Sequence, residues 1–316
     1  MAVVPRVRAR LAPEAGKGED VPPPIHPRAA GAPDQPITLR ALLERHGLQP
    51  RKELGQHFLS DLNILNKIIR AADLTANTPV LEIGPGPGML TRRLAQTAGR
   101  VVAVELDDGM VHLLRGELAH FPNVEIVHGD ILKLYPPTLM GPAATAYVVV
   151  ANLPYYITSA VLRHVLEAVP SPLRLVLTVQ LEVAQRIVAG PGDMSLLAVS
   201  VQYYGQPRIV ARIPAGAFVP PPQVDSAVLR IDTYRCPPNG VPGRDDFFRV
   251  VRAGFGQKRK QLKNALVGGL GLPEATVVAA LSRAGVAPQR RAETLSLAEW
   301  AALTLCLVTD GAPRSS

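Results

Sequence analysis

Short apolar runs alternate with amphipathic helical segments through the middle of this sequence, and this alternation constrains the fold more than any other feature. The apolar runs are five to seven residues long, which suits strands buried on both faces of a sheet. Apolar residues at helical spacing, as in residues 109–120, mark the segments between them. The pattern predicts an α/β fold with a mostly parallel sheet covered by helices. The predicted strands are residues 79–83, 101–105, 124–128, 146–151 and 173–179.

Three further segments follow the fifth predicted strand. Residues 197–203 fit either a helix or a strand, because a short apolar run does not distinguish the two. Residues 208–213 and 226–231 are strand-like and have no clear helix between them. They are predicted to form an antiparallel hairpin at the edge of the sheet, an addition that such sheets often carry.

The two ends of the chain differ from this central region. Residues 1–36 contain eight prolines and no helical or strand period, which predicts a disordered extension. Proline and glycine at 236–243 predict a linker, and helical segments follow it at 245–266, 273–284 and 296–308. We therefore predict the extension at 1–36, an α/β domain at 37–236 and a small all-α C-terminal domain at 237–316.

Composition excludes several classes of protein. Hydrophobic residues make up 47% of the 316 residues, which is too many for a mostly disordered chain. No apolar run approaches the ~20 residues that a membrane-spanning helix needs. Cys236 and Cys306 lie far apart without a Cys/His cluster, so we expect no disulfide framework, no metal site and a reducing, cytoplasmic location. The formal net charge of +8 is compatible with a polyanionic partner.

A glycine-rich turn follows the first predicted strand. In it Gly84, Gly86 and Gly88 alternate with Pro85 and Pro87. A strand, a glycine-rich turn and a helix in this order are typical of the nucleotide-binding start of a Rossmann-like sheet. Each proline removes a backbone N–H that a pyrophosphate would need, so the turn favours a ligand such as S-adenosylmethionine. An ordinary strand-to-helix turn is the alternative interpretation.

Two acidic residues follow the next two predicted strands. Glu105 comes 21 residues after Gly84, a separation that suits a carboxylate accepting hydrogen bonds from ribose hydroxyls. Asp130 lies on the same edge of the sheet and could accept a hydrogen bond from an adenine amino group. The alternatives are a helix-start or solvated charge for Glu105 and a helix N-cap for Asp130.

The segment NLPYYIT at 152–158 directly follows the fourth predicted strand. An exocyclic adenine amine is a poor nucleophile, because its lone pair is delocalised into the ring. The side-chain oxygen of Asn152 and the carbonyl of Leu153 could accept hydrogen bonds from both N–H groups and favour a pyramidal, attacking amine. Tyr155 offers a ring for stacking, worth roughly 1–3 kcal/mol per base. We predict a catalytic loop here; a turn with a packed aromatic ring is the alternative.

A proline-rich segment at 217–228 holds a second aromatic residue, Phe218. Its three consecutive prolines would keep that ring in a fixed position. Facing Tyr155, the ring of Phe218 would form a clamp for a base that has left its stack. The alternative is a hydrophobic anchor for the loop.

Residues 249–264 are predicted to be helical and contain six cations and no acid. Such a surface suits the phosphates of a nucleic acid, although a run of charge is often only a solvated face. The predicted RNA-contacting residues are Arg249, Arg252, Lys258, Arg259, Lys260 and Lys263.

Taken together, these motifs resemble the ribosomal RNA adenine N6-dimethyltransferase family, and most closely its bacterial small-subunit members. The resemblance extends from about residue 40 to about residue 305. Its motifs are KELGQHFL at 52–59, EIGPGPG at 82–88, AVELD at 103–107, NLPYYIT at 152–158, FVPPPQVDSA at 218–227, FGQKRKQLKN at 255–264 and RAETLS at 291–296.

The resemblance implies a class I methyltransferase fold with S-adenosylmethionine as methyl donor. It further implies two methylations of each of two adjacent adenosines near the 3′ end of small-subunit (16S) rRNA, within a pre-30S particle that docks on the helical domain. We expect a monomer. His57 stands where the family often has asparagine, so a backbone contact is retained there while a side-chain role is not implied. The implied cofactor residues are His57, Leu59, Gly84, Gly86, Glu105, Asp130 and Asn152.

Other functions fit the sequence in part. A large-subunit rRNA methylase of the macrolide-resistance type would share residues 152–158, but their YYITS continuation and the segment at 218–226 favour the small-subunit type. A non-catalytic RNA-binding or transcription-factor relative is disfavoured by the intact Asn152 and Tyr155. A nicotinamide dehydrogenase is disfavoured by the prolines of the glycine-rich turn.

Overall fold

The structure is a computed structural model, and it describes residues 38–142, 146–235, 243–257 and 259–309. The predicted extension at 1–36 and residues 236–242 of the predicted linker lie outside the described residues. The strands are β1 Phe58–Leu59, β2 Pro79–Ile83, β3 Arg100–Glu105, β4 Val124–His128, β5 Val148–Asn152, β6 Arg174–Gln180, β7 Gly205–Ile213, β8 Phe218–Val219 and β9 Ser226–Thr233.

Seven of these strands form one sheet in the order β4-β3-β2-β5-β6-β9-β7. The first five in this order are parallel, and β9 pairs antiparallel with both β6 and β7. The prediction of an α/β fold with a mostly parallel sheet is confirmed. The predicted antiparallel hairpin at the edge of the sheet is also confirmed, with β7 as the edge strand and β9 between β7 and β6.

Helices cover the sheet and form the C-terminal region. The segment at 197–203, which the sequence left open, is helical and buries Val199 and Tyr203. The helices are α1 Leu39–Arg45, α2 Leu62–Ala72, α3 Met89–Thr97, α4 Asp108–Glu117, α5 Pro136–Met140, α6 Thr158–Leu166, α7 Leu181–Val188, α8 Leu196–Tyr204, α9 Arg244–Phe255, α10 Leu262–Leu270, α11 Glu274–Arg283 and α12 Leu297–Thr309.

The predicted continuous helix at 245–266 is wrong, because α9 ends at Phe255 and α10 begins at Leu262. Gly256 follows α9 directly, and glycine is a poor helix former. The N–H of Leu262 then donates to the carbonyl of Arg290 at 2.7 Å, which fixes the start of α10.

Apolar side chains form three buried clusters. Two of them cover the opposite faces of the sheet, so that Val80 and Leu81, adjacent in β2, belong to different clusters. The third fills the helical region around Trp300 and Phe247 and also contains Tyr203 of α8. The described residues from Thr38 onward thus form one compact unit, and the domain boundary at 236/237 stays a prediction.

Candidate active site

A cavity opens at the carboxyl ends of β2, β3 and β5, the edge at which open α/β sheets bind ligands. The space inside it is about 820 Å³ when the open solvent at its mouth is included. Leu59 is the predicted catalytic or cofactor residue that does not line this cavity. The others do: His57, Gly84, Gly86, Glu105, Asp130, Asn152, Leu153, Tyr155 and Phe218.

The glycine-rich turn brings bare backbone to the cavity. Gly84, Gly86 and Gly88 have φ angles of 67°, 54° and 82°, a region that residues with side chains rarely adopt. A Cβ atom on Gly86 would lie 2.8 Å from the ring of Phe58. Both the backbone conformation and the available space therefore require glycine at residue 86.

Glu105 lies at the end of β3 with 6% of its surface exposed, and its carboxylate accepts three backbone hydrogen bonds. The N–H of Gly86 donates to Oε2 at 3.0 Å, while those of Leu106 and Asp107 donate to Oε1 at 2.8 and 2.9 Å. Burial raises the pKa of Glu105, and these three donors oppose the rise. Because a carboxylate has about four acceptor positions, Oε2 retains one for a hydroxyl in the cavity.

Two acceptors lie together where β5 leads into the next loop. The Nδ2 atom of Asn152 donates to the carbonyl of His57 at 2.9 Å, which fixes the orientation of the amide. In the part of the chain that the structure describes, neither Oδ1 of Asn152 nor the carbonyl of Leu153 accepts a hydrogen bond. The cavity therefore has two neighbouring acceptors that the protein itself leaves available.

Tyr155 follows these acceptors and is held at both its hydroxyl and its ring. Its Oη atom is 2.7 Å from Oγ of the buried Ser226, at the start of β9. The ring of His57 stacks on it at 6.0 Å between centroids, with 18° between the planes. The Nδ1 atom of His57 in turn donates to the carbonyl of Pro220 at 2.8 Å. Burial raises the pKa of Tyr155, so its hydroxyl keeps its proton at neutral pH.

Ser226 and Pro220 were not among the predicted site residues. Both belong to the family motif at 218–227, and that motif was the feature of the sequence that could have indicated them. Pro220 reaches His57 because β1 pairs antiparallel with β8, with Phe58 opposite Val219. Ser226 reaches Tyr155 because β9 pairs with β6, the neighbour of β5, with Ser226 opposite Gln180. A pairing between strands so far apart in the chain leaves no local trace in the sequence.

Phe218 and Leu59 are buried by this same pairing. Phe218 is 2% exposed and lines the cavity, but the ring stacked on Tyr155 is that of His57. The clamp between Phe218 and Tyr155 stays a prediction. Leu59 borders a smaller cavity behind the glycine-rich turn, together with Glu82, and its contact with the cofactor also stays a prediction.

The two carboxylate oxygens of Asp130 have different neighbours. Its Oδ1 atom accepts a hydrogen bond from the N–H of Leu132 at 3.0 Å. This bond closes a turn and is not a helix N-cap, because the next helix, α5, begins only at Pro136. Its Oδ2 atom lies 3.9 Å from Nζ of Lys133 and accepts no hydrogen bond from a described residue. Asp130 also lines the cavity.

Comparison with known proteins identifies the family of this chain. Residues 47–308 match the family model described as "Ribosomal RNA adenine dimethylase". The chain belongs to the ribosomal RNA adenine dimethylase family. The resemblance inferred from the motifs is thereby confirmed, as are methyltransferase activity and S-adenosylmethionine as the methyl donor.

Curated relatives of this dimethylase cover most of its length. It is 49% identical over 280 residues to Ribosomal RNA small subunit methyltransferase A of Dehalococcoides mccartyi, covering 89% of this chain and 95% of that protein. It is 46% identical over 279 residues to a protein of the same name from Pelotomaculum thermopropionicum, covering 85% of this chain and 95% of that protein. These names favour the small-subunit prediction over its large-subunit alternative.

Solved structures of similar proteins share the fold of this dimethylase. A dimethyladenosine transferase from Plasmodium falciparum aligns with a TM-score of 0.71 at 26% identity, covering 81% of this chain and 98% of that chain. The 23S rRNA methyltransferase ErmE aligns with a TM-score of 0.66 at 31% identity, covering 79% and 99%. The prediction of a class I methyltransferase fold is confirmed.

The six predicted RNA-contacting residues of the dimethylase fall into three groups. Arg249 pairs with Asp246 at 3.4 Å, and Lys263 pairs with Glu274, so two of the cations have acidic partners from outside the 249–264 segment. Lys258 lies outside the described residues. The remaining cations are exposed and make no ion pair with any described residue: Arg252, Arg259 and Lys260.

The surface beside these cations is lined with small residues. A shallow groove there is formed by Arg252, Gly256, Gly268 and Gly269, among others. Gly269 allows α9 and α10 to pack closely, because a Cβ atom there would lie 2.7 Å from Cβ of Ala253. The groove and the three exposed cations lie on one surface, which is formed by α9, α10 and the turn between them.

Within the described ranges, no group of three or more His, Cys, Asp or Glu side chains is placed to hold a metal ion. No helix in the described part of the chain has the length and apolar character needed to cross a membrane.

Proposed function

We propose that this dimethylase transfers methyl groups to the N6 atoms of two adjacent adenosines near the 3′ end of small-subunit (16S) rRNA and dimethylates each. One observation carries the proposal. The Oδ1 atom of Asn152 and the carbonyl of Leu153 lie next to the held ring of Tyr155, and neither has a donor among the described residues. An adenine amine has two N–H groups, and this arrangement offers one acceptor for each.

The other end of the cavity fits the adenosine part of a methyl donor. Gly86 leaves the backbone open, Glu105 keeps an acceptor position for a ribose hydroxyl, and Asp130 keeps Oδ2 for an adenine amino group. When bound, S-adenosylmethionine supplies an electrophilic methyl group on a sulfonium sulfur. The roles given to these three residues are part of the proposal.

The catalytic contribution of the loop is to hold and polarise the target amine. Two accepted hydrogen bonds, at Asn152 and Leu153, draw electron density toward N6 and favour a pyramidal nitrogen whose lone pair points out of the ring plane. Stacking on Tyr155 fixes the plane of the base, and fixed orientation of reacting groups accounts for a large part of many enzymatic rates. A strong base is not required, because the methylated amine is cationic and loses its proton readily.

Ser226 and His57 support this arrangement from behind. The hydrogen bond between the hydroxyls of Ser226 and Tyr155 holds the tyrosine ring, and the stacked ring of His57 is hydrogen-bonded to the carbonyl of Pro220. Each contact limits rotation of the tyrosine ring before the base arrives. Such support keeps a site within the narrow geometry that reaction needs.

The proposed substrate is a pre-30S particle in the cytoplasm, bound by a monomer of this protein. Arg252, Arg259 and Lys260 are exposed on the helical region and suit contacts with RNA phosphates. Contacts of this kind release counterions, so the affinity should fall as salt rises.

Mass spectrometry of RNA from undermethylated small-subunit particles, incubated with the protein and methyl donor, tests the function. We expect N6,N6-dimethyladenosine at two adjacent positions near the 3′ end of the small-subunit RNA. Modification of large-subunit RNA instead would support the macrolide-resistance type. No methyl transfer to either RNA would support a binding role without catalysis.

Replacing Asn152 tests the proposed mechanism. Asn152→Ala should lower turnover at least about 100-fold, the typical effect of losing a hydrogen bond made in the transition state. Binding of S-adenosylmethionine, measured by calorimetry, should stay within about tenfold. Ser226→Ala is the matched comparison, because it loosens Tyr155 and keeps both acceptors, so we expect a smaller loss. A near-normal rate for Asn152→Ala would reject the acceptor argument.

A further inference from the structure

A second cationic groove lies between α2 and the edge strand β7, apart from the catalytic cavity. About 760 Å³ of space lies within it, open solvent included. It shares no lining residue with the catalytic cavity or with the groove beside α9 and α10. It is lined by Lys67, Arg70, Ala71, Arg208, Ile209, Val210 and Arg230.

Three cations of this groove are exposed and uncompensated. Lys67 and Arg70 lie one turn apart on α2, and Arg208 lies on β7. None of the three makes an ion pair with a described residue. Arg230 differs, because it bonds Asp232 at 2.8 Å and the carbonyl of Ala71 at 3.0 Å and so serves the fold. The groove therefore presents three positive charges to a ligand.

The edge strand is also shaped at this point. The pairing of β7 with β9 shifts between Ile209 and Ala211, so Val210 is the extra residue of a bulge. Ile209 and Val210 are 36% and 40% exposed and add apolar surface to the groove. A bulge and an arginine also protect an edge strand from unwanted pairing. That protection explains Arg208, but it does not explain two cations on the facing helix.

We propose that this groove binds phosphates of the rRNA substrate next to the nucleotide held in the cavity. The proposal rests on the proposed function, which brings RNA to the protein. Both walls lead to the cavity, since α2 begins three residues after β1 and β7 ends five residues before β8. β1 and β8 pair with each other, and Phe58 and Phe218 from these strands line the cavity.

The distance suits a continuous strand of RNA. From Arg208 to the end of β7 the chain spans about 17 Å at about 3.3 Å per residue. That length corresponds to about five nucleotides at about 3.4 Å of helical rise each. About five nucleotides would therefore follow β7 from Arg208 to the end of the strand, from which five residues lead to Phe218 at the cavity.

Paired substitutions test the groove. Lys67→Gln with Arg208→Gln removes one cation from each wall, and Arg40→Gln with Arg115→Gln removes two exposed cations from α1 and α4 as a charge-matched control. The affinity for undermethylated small-subunit particles is measured between about 50 and 200 mM salt. For the groove pair we expect at least about fivefold weaker binding at about 100 mM salt. The slope of log K against log salt should become shallower by about 1.4–1.8, at about 0.7–0.9 per phosphate contact.

Three companion measurements separate the possible outcomes. Turnover on saturating particles should be unchanged in the groove pair, because neither residue lines the cavity. Lys67→Arg with Arg208→Lys keeps both charges and should bind like the wild type. Thermal unfolding checks the fold, and if the groove pair unfolds, Arg70→Gln alone should still reduce the slope by about 0.7–0.9.

Failure of the groove proposal is distinguishable from failure of the proposed function. Normal affinity and slope in the groove pair, with active wild-type enzyme, would overturn the groove and leave the function standing. Weaker binding to particles but unchanged binding to protein-free rRNA would also overturn it, because the groove would then contact a ribosomal protein. Absence of methylation by the wild type would instead reject the function.

Discussion

Gly86 combines a left-handed backbone conformation with a packing limit, and both can be tested by one methyl group. Gly86→Ala would place a Cβ atom 2.8 Å from the ring of Phe58 at a φ of 54°. Either the turn or the ring must move, so we expect at least about tenfold weaker binding of S-adenosylmethionine by calorimetry. In the control Gly116→Ala, the new Cβ on α4 meets nothing within 4 Å. It should keep normal affinity and gain up to about 1 kcal/mol of stability. Normal affinity in Gly86→Ala would show that the turn does not approach the cofactor.

Glu82 is a buried carboxyl behind the glycine-rich turn, and its burial predicts that the stability of the protein depends on pH. It is 1% exposed, and its Oε2 atom has no hydrogen-bond partner in the described part of the chain. Burial raises the pKa of Glu82 from 4.5 to about 8. Between these values the folded state holds a proton that the unfolded state has released, so the free energy of unfolding falls as pH rises. Glu82→Gln should lose this part of the decline between about pH 5 and pH 8, as measured by urea unfolding. A decline as steep as that of the wild type would contradict the assignment.

Single residues were predictable where a local pattern placed them at a strand end. Glu105 and Asn152 end strands that apolar runs already marked, so the cavity position of each followed from the parallel sheet. Pro220 contacts the site through the pairing of β1 with β8, and Ser226 through the pairing of β9 with β6. No local pattern in the sequence reports either contact. The burial of Glu82 was not predictable either, because it arises only when helices cover both faces of the sheet.

Within the helical region, α12 begins with a reciprocal cap between Ser296 and Glu299. Oγ of Ser296 accepts from the N–H of Glu299 at 3.2 Å, and Oε2 of Glu299 accepts from the N–H of Ser296 at 2.8 Å. Arg290 also pairs with Glu299, and this guanidinium and the cap lower the pKa of Glu299 to about 2. Arg290 is thus engaged in the fold.

The cap and its ion pair predict a stability loss with a defined pH dependence. Glu299→Gln should lower the free energy of unfolding at about pH 7 by about 1–2 kcal/mol. Because the folded-state pKa is depressed, the contribution of Glu299 is present above about pH 4.5 and is lost as pH falls toward 2. The gap between variant and wild type should therefore narrow in urea unfolding at about pH 3. Glu44→Gln, which breaks an exposed pair with Arg40, should cost less than about 0.5 kcal/mol. An equal gap at both pH values would contradict the role of the charge.

Strands and helices were predictable where residues close together in the sequence determine them. The five parallel strands were placed within about two residues, since a run of apolar residues bounded by turns is a local signal. The break between α9 and α10 was missed although Gly256 follows α9 directly. The start of α10 depends on the hydrogen bond from Leu262 to Arg290, which joins residues distant in the sequence.

At the scale of the whole molecule, cations are concentrated on two separate surfaces. One is the helical surface with Arg259 and Lys260, and the other is the groove between α2 and β7 with Lys67 and Arg208. The sequence predicts the first, because its cations are consecutive. It cannot predict the second, because residues 67 and 208 meet only after β7 has taken its place at the edge of the sheet.

If one RNA contacts both surfaces in the same complex, their electrostatic contributions should add. Replacing both turn cations, as Arg259→Gln with Lys260→Gln, should make the salt slope of particle binding shallower by about 1.4–1.8. Combined with Lys67→Gln and Arg208→Gln, the reduction should reach about 2.8–3.6, because distant sites without shared partners add. The Arg40→Gln and Arg115→Gln pair added to the turn variant is the control and should change nothing further. A combined variant no worse than either pair would mean that the two surfaces do not hold the same RNA at once.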